Sequence, residues 1–430
     1  MNRPRAAAAT LLAVIALADT GTRVMAIAVP WFVLVSTGSV TQTGLVAAFE
    51  LAPYVLAKAL GGPLVDRLGQ RRVSIAADLA SAVLIGCIPV LQLAGALSLP
   101  VLLVLVAGAG AVRGPGDTAK HTQIPLLADR TGWPLERLTG LAGAIERGSG
   151  LVAPGVAAGL IGATSAPAAI AATSACFGLS AVLSACGLPA ERPPAATTSA
   201  GPGYLSRLRA GWSFLVADRL LFGLVLMIMV TNLLDVAKTS VLLPVWARDS
   251  GAGVAGIGLL LTVMAGCSMV SSLLASWLGA RLPRRLTYFA AFAVAGPPPL
   301  VALALDLPLP ALVAVYGAAG FASGVLNPLL GAIFFERIPR PLLGRVGALA
   351  DAVAWSAMPL GGLVAAGLIA LAGLSGALGV AAVGYALATL LPALLGRASF
   401  ERPDPDPAAD PPGPAGEDVA DAQPAVRTVP

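Results

Sequence analysis

Runs of about 20 residues that are apolar all round, separated by short polar connections, recur along almost the whole chain. A hydrocarbon layer of ~30 Å needs about 20 apolar residues in a helix, so each run predicts a membrane-spanning helix. Twelve are predicted, over 7–35, 42–65, 73–95, 99–119, 138–162, 167–188, 219–243, 254–279, 286–305, 309–334, 346–372 and 375–396. The first carries Arg3 and Arg5 ahead of its apolar stretch and Ala16-Leu17-Ala18 within it, in the manner of a signal peptide. Its apolar run continues to Val35 and eleven more follow, so an uncleaved first helix is expected. Two segments fall outside the pattern. Residues 189–218 form a connector with Pro193-Pro194 and an amphipathic piece from Tyr204 to Phe214. Residues 397–430 are rich in Pro, Asp and Glu and are expected to be disordered.

Composition narrows the class. Of 430 residues, 57% are hydrophobic and 11% charged, with a mean hydropathy of +0.85. An ordinary soluble domain has about 25% charged residues. A soluble enzyme, a disordered chain and a nucleic-acid binder are therefore excluded; the partner implied is the lipid bilayer. Orientation follows from Lys and Arg. With the N-terminus inside, the outer connections fall near 36–41, 96–98, 163–166, 247–253, 306–308 and 373–374. Of the 27 Lys and Arg, only Arg248 lies there, and five (Arg23, Lys58, Arg113, Arg147, Lys238) lie within spans. The remainder collect on the other side, so both termini are expected to be cytoplasmic in a multi-pass protein of the cell membrane. Cys87, Cys176, Cys186 and Cys267 all lie in apolar runs without metal-ligand spacing, and His121 is the single histidine. No enzyme site, metal or cofactor is expected.

Sliding the chain against itself by 214 residues aligns Pro30 with Pro244, Ser36 with Ser250 and Gly44-Leu45 with Gly258-Leu259. Leu64 then meets Leu278, Arg67-Leu68 meets Arg281-Leu282, Arg71 meets Arg285, and Ile124-Pro125 meets Ile338-Pro339. The chain therefore reads as an all-α membrane protein in two six-helix halves: 1–188 and 219–396, joined by the connector 189–218 and followed by the tail 397–430. Parallel halves related about the membrane normal place a substrate route between them.

Between spans two and three, Gly62-Pro63-Leu64-Val65-Asp66-Arg67-Leu68-Gly69-Gln70-Arg71-Arg72 resembles the cytoplasmic loop signature of the major facilitator superfamily, with mild departures at Val65 and Gln70. Pro30-Trp31 at the end of span one and Gly344-Arg345-Val346 before span eleven resemble its drug-efflux branch, which includes macrolide and siderophore exporters. The resemblance covers all spans and excludes the tail. It implies a twelve-helix drug:proton antiporter whose loop latches the cytoplasmic face when the protein opens outward. Gly62 and Gly69 would allow close approach and a tight turn. Asp66 would accept hydrogen bonds from a helix N-terminus of the other half, and Arg67, Arg71 and Arg72 give the loop its positive charge. Arg67 and Arg71 could pair with a carboxylate such as Asp117. The second-half copy has Ala280 where Asp66 would be, which predicts an asymmetric latch. In span five, Gly150, Pro154, Gly155 and Gly159 resemble the signature of the family's proton antiporters, with Ala153 replacing one glycine; a kinked helix with a tightly packed small-residue face is expected.

Charges at bilayer depth cost at least ~2.5–3.5 kcal/mol on insertion scales and need a reason. Asp19 and Arg23 stand i,i+4 in span one and can pair. Asp19 lies roughly 18 Å from the cytoplasmic start, and Glu50 about 12 Å from the outer start of span two, at nearly the same depth. Span seven carries Asn232, Asp235 and Lys238 near the repeat-equivalents of Asp19 and Arg23, so both halves set a carboxylate and a cation at similar depth. A carboxylate in a low-dielectric cavity takes up a proton more readily, and a nearby cation opposes this. Glu50 has no cation at i±3 or i±4 and is the preferred proton carrier. Arg113 in span four resembles the family's intramembrane arginine, and Asn327, ahead of Pro328, is a further candidate for the cavity wall. The expected function is export of small organic molecules, drugs or natural products, in exchange for protons by a monomer. The alternatives are a proton symporter importing a small metabolite and a non-transporting membrane sensor or scaffold using the acidic tail.

Overall fold

The computed structural model describes residues 3–189, 204–278, 283–339 and 342–395. The tail, most of the connector and the second copy of the loop at Ala280, Arg281 and Leu282 lie outside the described residues. Among those described, every regular element is helical and none is a strand. The first set comprises α1 (Arg3–Thr37), α2 (Val40–Leu60), α3 (Gly62–Leu68), α4 (Gln70–Leu93), α5 (Leu99–Thr131), α6 (Leu135–Ala163) and α7 (Ala166–Gly187). After α8 (Tyr204–Ala217) come α9 (Arg219–Ala237), a π-helical turn Lys238–Leu242, α10 (Leu243–Asp249) and α11 (Gly253–Leu278). The chain continues through α12 (Arg284–Ala295), α13 (Pro297–Ala304), α14 (Leu309–Arg337), α15 (Leu343–Ser356), a 3₁₀ turn Met358–Leu360 and α16 (Gly361–Leu395).

Ten helical stretches among the described residues are long and apolar enough to cross a membrane. Their outward faces are apolar: Leu93 and Leu371 are 88% and 87% exposed, which suits lipid and would be costly in water. Three of the described helices start where a side chain satisfies free backbone groups. Ser39 caps α2 by accepting from the amide of Gln42 at 3.2 Å, and Ser165 caps α7 by accepting from Ala168 at 3.3 Å. Asp218 caps α9, accepting from Leu220 and Leu221 at 3.0 and 3.1 Å.

The structure moves several expected boundaries. Span four, expected to end at 119, continues as α5 to Thr131 and stops at Gly132, whose φ of 66° is left-handed. Hydropathy fades at Lys120, but helix propensity does not, and Lys120 and Gln123 are themselves buried. Span one, expected to end at 35, runs through Pro30 to Thr37. The loop between spans two and three is itself the short helix α3. The last two predicted spans, 346–372 and 375–396, meet at a break at Gly373 (φ 68°, ψ 177°) inside α16.

Packing follows small residues. A Cβ at Gly110 would fall inside contact of the Glu50 carbonyl, and one at Gly114 against Tyr54 and Lys58, so α2 and α5 lie backbone to backbone. Gly320 and Gly324 do the same against the carbonyls of Met264 and Ser268, joining α11 to α14. Two further contacts cross between distant parts of the chain: Gly44 of α2 meets Gly362 of α16, and Gly258 of α11 meets Pro154 and Ala158 of α6. Nearby, Arg248 donates to the carbonyl of Gly38 at 3.3 Å.

Candidate functional site

Glu50 of α2 and Arg113 of α5 form a buried ion pair at 3.2 Å, 6% and 3% exposed. Glu50 therefore has the cation that its own helix lacks, and the expectation of an unpaired proton carrier is corrected: an adjacent helix supplies the charge. The same guanidinium reaches the Met25 sulfur at 3.8 Å and lies 5.0 Å from the Tyr54 ring centre. Its Nε is buried without a partner. Breaking one side of such a pair leaves an uncompensated charge and costs about 3–5 kcal/mol.

One turn along α2, the Tyr54 hydroxyl donates to Asp117 at 3.2 Å. Asp117 also faces Lys120 at 3.6 Å, and Lys120 pairs with the buried Asp78 at 2.6 Å, which in turn accepts from Ser180 at 2.6 Å. This chain of groups ties α2, α4, α5 and α7 together. Asp78 is thus fully engaged by Lys120 and Ser180. Asp117 is likewise held by Tyr54 and Lys120, not by Arg67 or Arg71: both its oxygens turn inward, toward α2 and along α5. The Arg71 guanidinium donates to the carbonyl of Ala185 at 2.5 Å. Asp66, Arg67 and Arg72 are exposed. Gly69 makes the expected turn, with φ of 87°. Gly62, however, has open space around it, and the close approach falls on Gly61 against Pro115.

A cavity of about 480 Å³ opens among α1, α6, α11 and α14. Its walls include Arg23, Glu146, Arg147, Gly150, Ser268 and Asn327. Arg23 does not pair with Asp19. Its guanidinium reaches across to the carbonyl of Glu146 at 3.3 Å, because α6 offers an acceptor and Gly150 leaves room beside it. Asp19 is half-buried, with Oδ2 lacking a partner. At the cavity edge His121 meets Glu146 at 3.3 Å. The small-residue face of α6 holds in part: Pro154 and Ala158 take the Gly258 contact and Gly155 lies near Thr262, whereas Gly159 faces open space off that contact.

In α9, Asp235 and Lys238 pair at 2.7 Å, the lysine buried and the carboxylate partly open. Asn232 donates to the carbonyl of Ala354 at 3.0 Å, linking α9 to α15. Lys238 opens the π-helical turn. Such turns often mark functional sites, and hydrophobic spacing gives no sign of this one.

The sequence reading missed Tyr54, Trp355, Lys120, His121 and the serines of α11. The Trp355 ring lies 6.4 Å from that of Tyr54 at an interplanar angle of 18°, and Lys58 sits 4.1 Å from the Trp355 ring centre. The usable signal was scarcity: the chain has 5 Tyr and 6 Trp, so an aromatic amid charges in a span marks a place to look.

Residues 11–246 and 229–430 each match the family model of the Major Facilitator Superfamily. The chain is 31% identical over 377 residues to the multidrug efflux pump Tap of Mycobacterium tuberculosis (strain ATCC 25618 / H37Rv), covering 87% of this chain and 89% of that one. Similarity to the multidrug efflux pump Tap of Mycolicibacterium fortuitum is 29% over 362 residues, or 83% and 88% of the two chains. Among solved structures, the nucleoside transporter NupG superposes with a TM-score of 0.71 at 13% identity, over 93% of this chain and 100% of that one. A D-xylose-proton symporter gives 0.65 at 16%, over 90% and 97%. At these identities the likeness is one of fold.

Proposed function

The chain belongs to the major facilitator superfamily, and from that membership we propose that it is a multidrug exporter that moves small organic molecules out of the cell in exchange for protons. The reading draws on its similarity along most of its length to pumps named for multidrug efflux. The single geometric observation that carries it is the cavity walled by α1 and α6 on one side and α11 and α14 on the other, with Arg23, Glu146, Arg147 and Asn327 facing it.

The two sides are two six-helix halves, 1–188 and 219–396, with twelve crossings once the break at Gly373 divides α16. The offset of 214 residues supports this. The carbonyls that receive the glycines in the α2–α5 pair, Glu50 and Tyr54, and those in the α11–α14 pair, Met264 and Ser268, stand at that spacing, with the glycines one helical turn apart in register. Gly44 and Gly258 are equivalent too, and each packs on a helix of the other half. Both termini lie on the cytoplasmic side, as the Lys and Arg distribution argues. The contacts at Gly44, Gly258 and Arg248 then close the outer end, and the cavity is the inward-facing vestibule. Rocking the halves about these contacts alternates access.

Glu50 is the proton site. Ion-paired to Arg113 in this conformation, it takes a proton when Arg113 withdraws toward the Tyr54 ring, which faces the guanidinium on its other side. Asp19, one turn of α1 from the cavity-lining Arg23 and with a buried oxygen unpartnered, is the carboxylate that meets cargo once the halves move. The α3 loop with Asp66 exposed is the released state of the cytoplasmic latch. The test is expression in a drug-hypersensitive bacterium, with dye accumulation in everted vesicles with and without a protonophore. Raised resistance and uptake that collapses with the proton gradient are expected. Lowered resistance, or uptake indifferent to the gradient, refutes the reading.

A further inference from the structure

The chain has three lysines, all within predicted spans or the helices that extend them. Two are firmly held: Lys120 by Asp78 at 2.6 Å and Lys238 by Asp235 at 2.7 Å. Lys58 differs. Among the described residues no carboxylate stands within 4.0 Å of its ammonium, and its one hydrogen bond is a long one to the Tyr54 hydroxyl, 3.4 Å. What the ammonium rests on is aromatic. It lies 4.1 Å from the Trp355 ring centre and 5.6 Å from that of Tyr54, and these two rings, on α2 and α15, are nearly parallel and 6.4 Å apart. The faces of Trp and Tyr carry negative potential and attract a desolvated cation. Beyond the rings, Asp117, Asp351, Glu146 and Asp19 all act on the Lys58 ammonium from further off. The surroundings are those of a cation site: the Trp355 ring face, the Tyr54 ring that also lies 5.0 Å from the Arg113 guanidinium, acidic groups at a distance, and no fixed ion pair for Lys58 to satisfy.

We propose that the Tyr54–Trp355 ring pair binds the cationic head of an organic ammonium ligand, and that in this structure the site is occupied by the protein's own Lys58. The four-carbon stem lets Lys58 swing out when a ligand of higher cation–π affinity arrives, since leaving breaks no carboxylate pair. Glu146, which lines the 480 Å³ cavity, is one of the acidic groups whose charge reaches Lys58. The site rests on the exporter reading only where the ligand is taken to be cargo. Binding itself is independent of it.

The experiment uses the full chain in lipid nanodiscs, with phenyltrimethylammonium as probe and its uncharged isostere tert-butylbenzene as control. In the wild-type protein, reductive methylation read by mass spectrometry reports each lysine separately. Phenyltrimethylammonium should raise the labelling rate of Lys58 at least about threefold by expelling it from the rings, leaving Lys120 and Lys238 unchanged; tert-butylbenzene should do nothing. Unchanged or reduced labelling of Lys58, or an equal effect of tert-butylbenzene, overturns the proposal. Calorimetry adds a second arm. Lys58→Met should raise affinity for the cation about tenfold, and adding Trp355→Leu should abolish the gain. A gain that survives without Trp355, or one shared by tert-butylbenzene, shows only an apolar hole and also overturns it. If Lys58→Met does not fold, the labelling of the wild-type chain decides alone. Dye export by wild-type vesicles is measured alongside, so an absent exporter activity is seen separately from an absent cation site.

Discussion

Replacing Glu50 by Gln should destabilise the protein because it strands Arg113. That guanidinium is 3% exposed, its only carboxylate partner is Glu50 at 3.2 Å, and the remaining neighbours are a thioether and a ring face. At an effective dielectric of about 20, charges at this distance attract by ~5 kcal/mol, against a desolvation cost of several kcal/mol per ion. The pair is thus near balance as built, while removing one member costs about 3–5 kcal/mol. With an unfolding entropy of about 2.1 cal/mol/K per residue, a 430-residue chain should lose ~3–6 °C in Tm. Thiol-dye unfolding reads this directly, since Cys87, Cys176 and Cys267 are partly buried; the exposed Cys186 is first replaced by Ser to lower the background. Arg113→Met added to Glu50→Gln should restore most of the loss, because the pair is then replaced by neutral groups. Two losses that simply add, or a Glu50→Gln protein as stable as the wild type, would refute the reasoning.

Three other expectations follow from described contacts. Asp78→Asn should cost less than Glu50→Gln, about 1–3 kcal/mol, because the buried Lys120 keeps Asp117 at 3.6 Å, and Lys120→Met on that background should recover most of it in the same thermal assay. Arg284→Ala, by contrast, removes a bidentate but partly exposed pair with Glu336 at 2.6 and 2.7 Å, and should change stability by no more than about 1 kcal/mol. Gly258→Leu should force α11 away from Pro154 and Ala158; pulsed electron resonance between spin labels on α6 and α11 should show their ends beyond that contact further apart than in the wild type, and unchanged distances would contradict the packing.

The helices were readable because lipid imposes a length and an apolar surface, and both are properties of local sequence. Their ends were less so. α5 outruns its apolar run by twelve residues, from 119 to Thr131, since helix propensity does not depend on what surrounds the helix. The candidate residues were readable as types and mostly misread as pairs. Asp19 and Arg23 have ideal spacing on one helix, yet Arg23 turns to α6; Glu50 looked solitary, yet its partner lies 63 positions away. Spacing predicts contacts within a helix, whereas these are decided by which helices adjoin. At the offset of 214, Arg113 corresponds to Asn327 and Tyr54 to Ser268. In the first half these positions hold a buried guanidinium against a ring, and in the second they border the cavity. Residues at matched positions of the repeat thus stand in different surroundings.

At the seam Gly44 and Gly362 meet backbone to backbone, while Gly258 packs on the Pro154 carbonyl and the Ala158 side chain. The charged contact placed with them, Arg248 on the Gly38 carbonyl at 3.3 Å, is already exposed, so its parting costs little. An exporter that rocks about this seam, as proposed, is served by a joint held mainly by shape. It also follows that whatever decides when the joint opens is to be sought elsewhere, among the ions and rings at mid-depth.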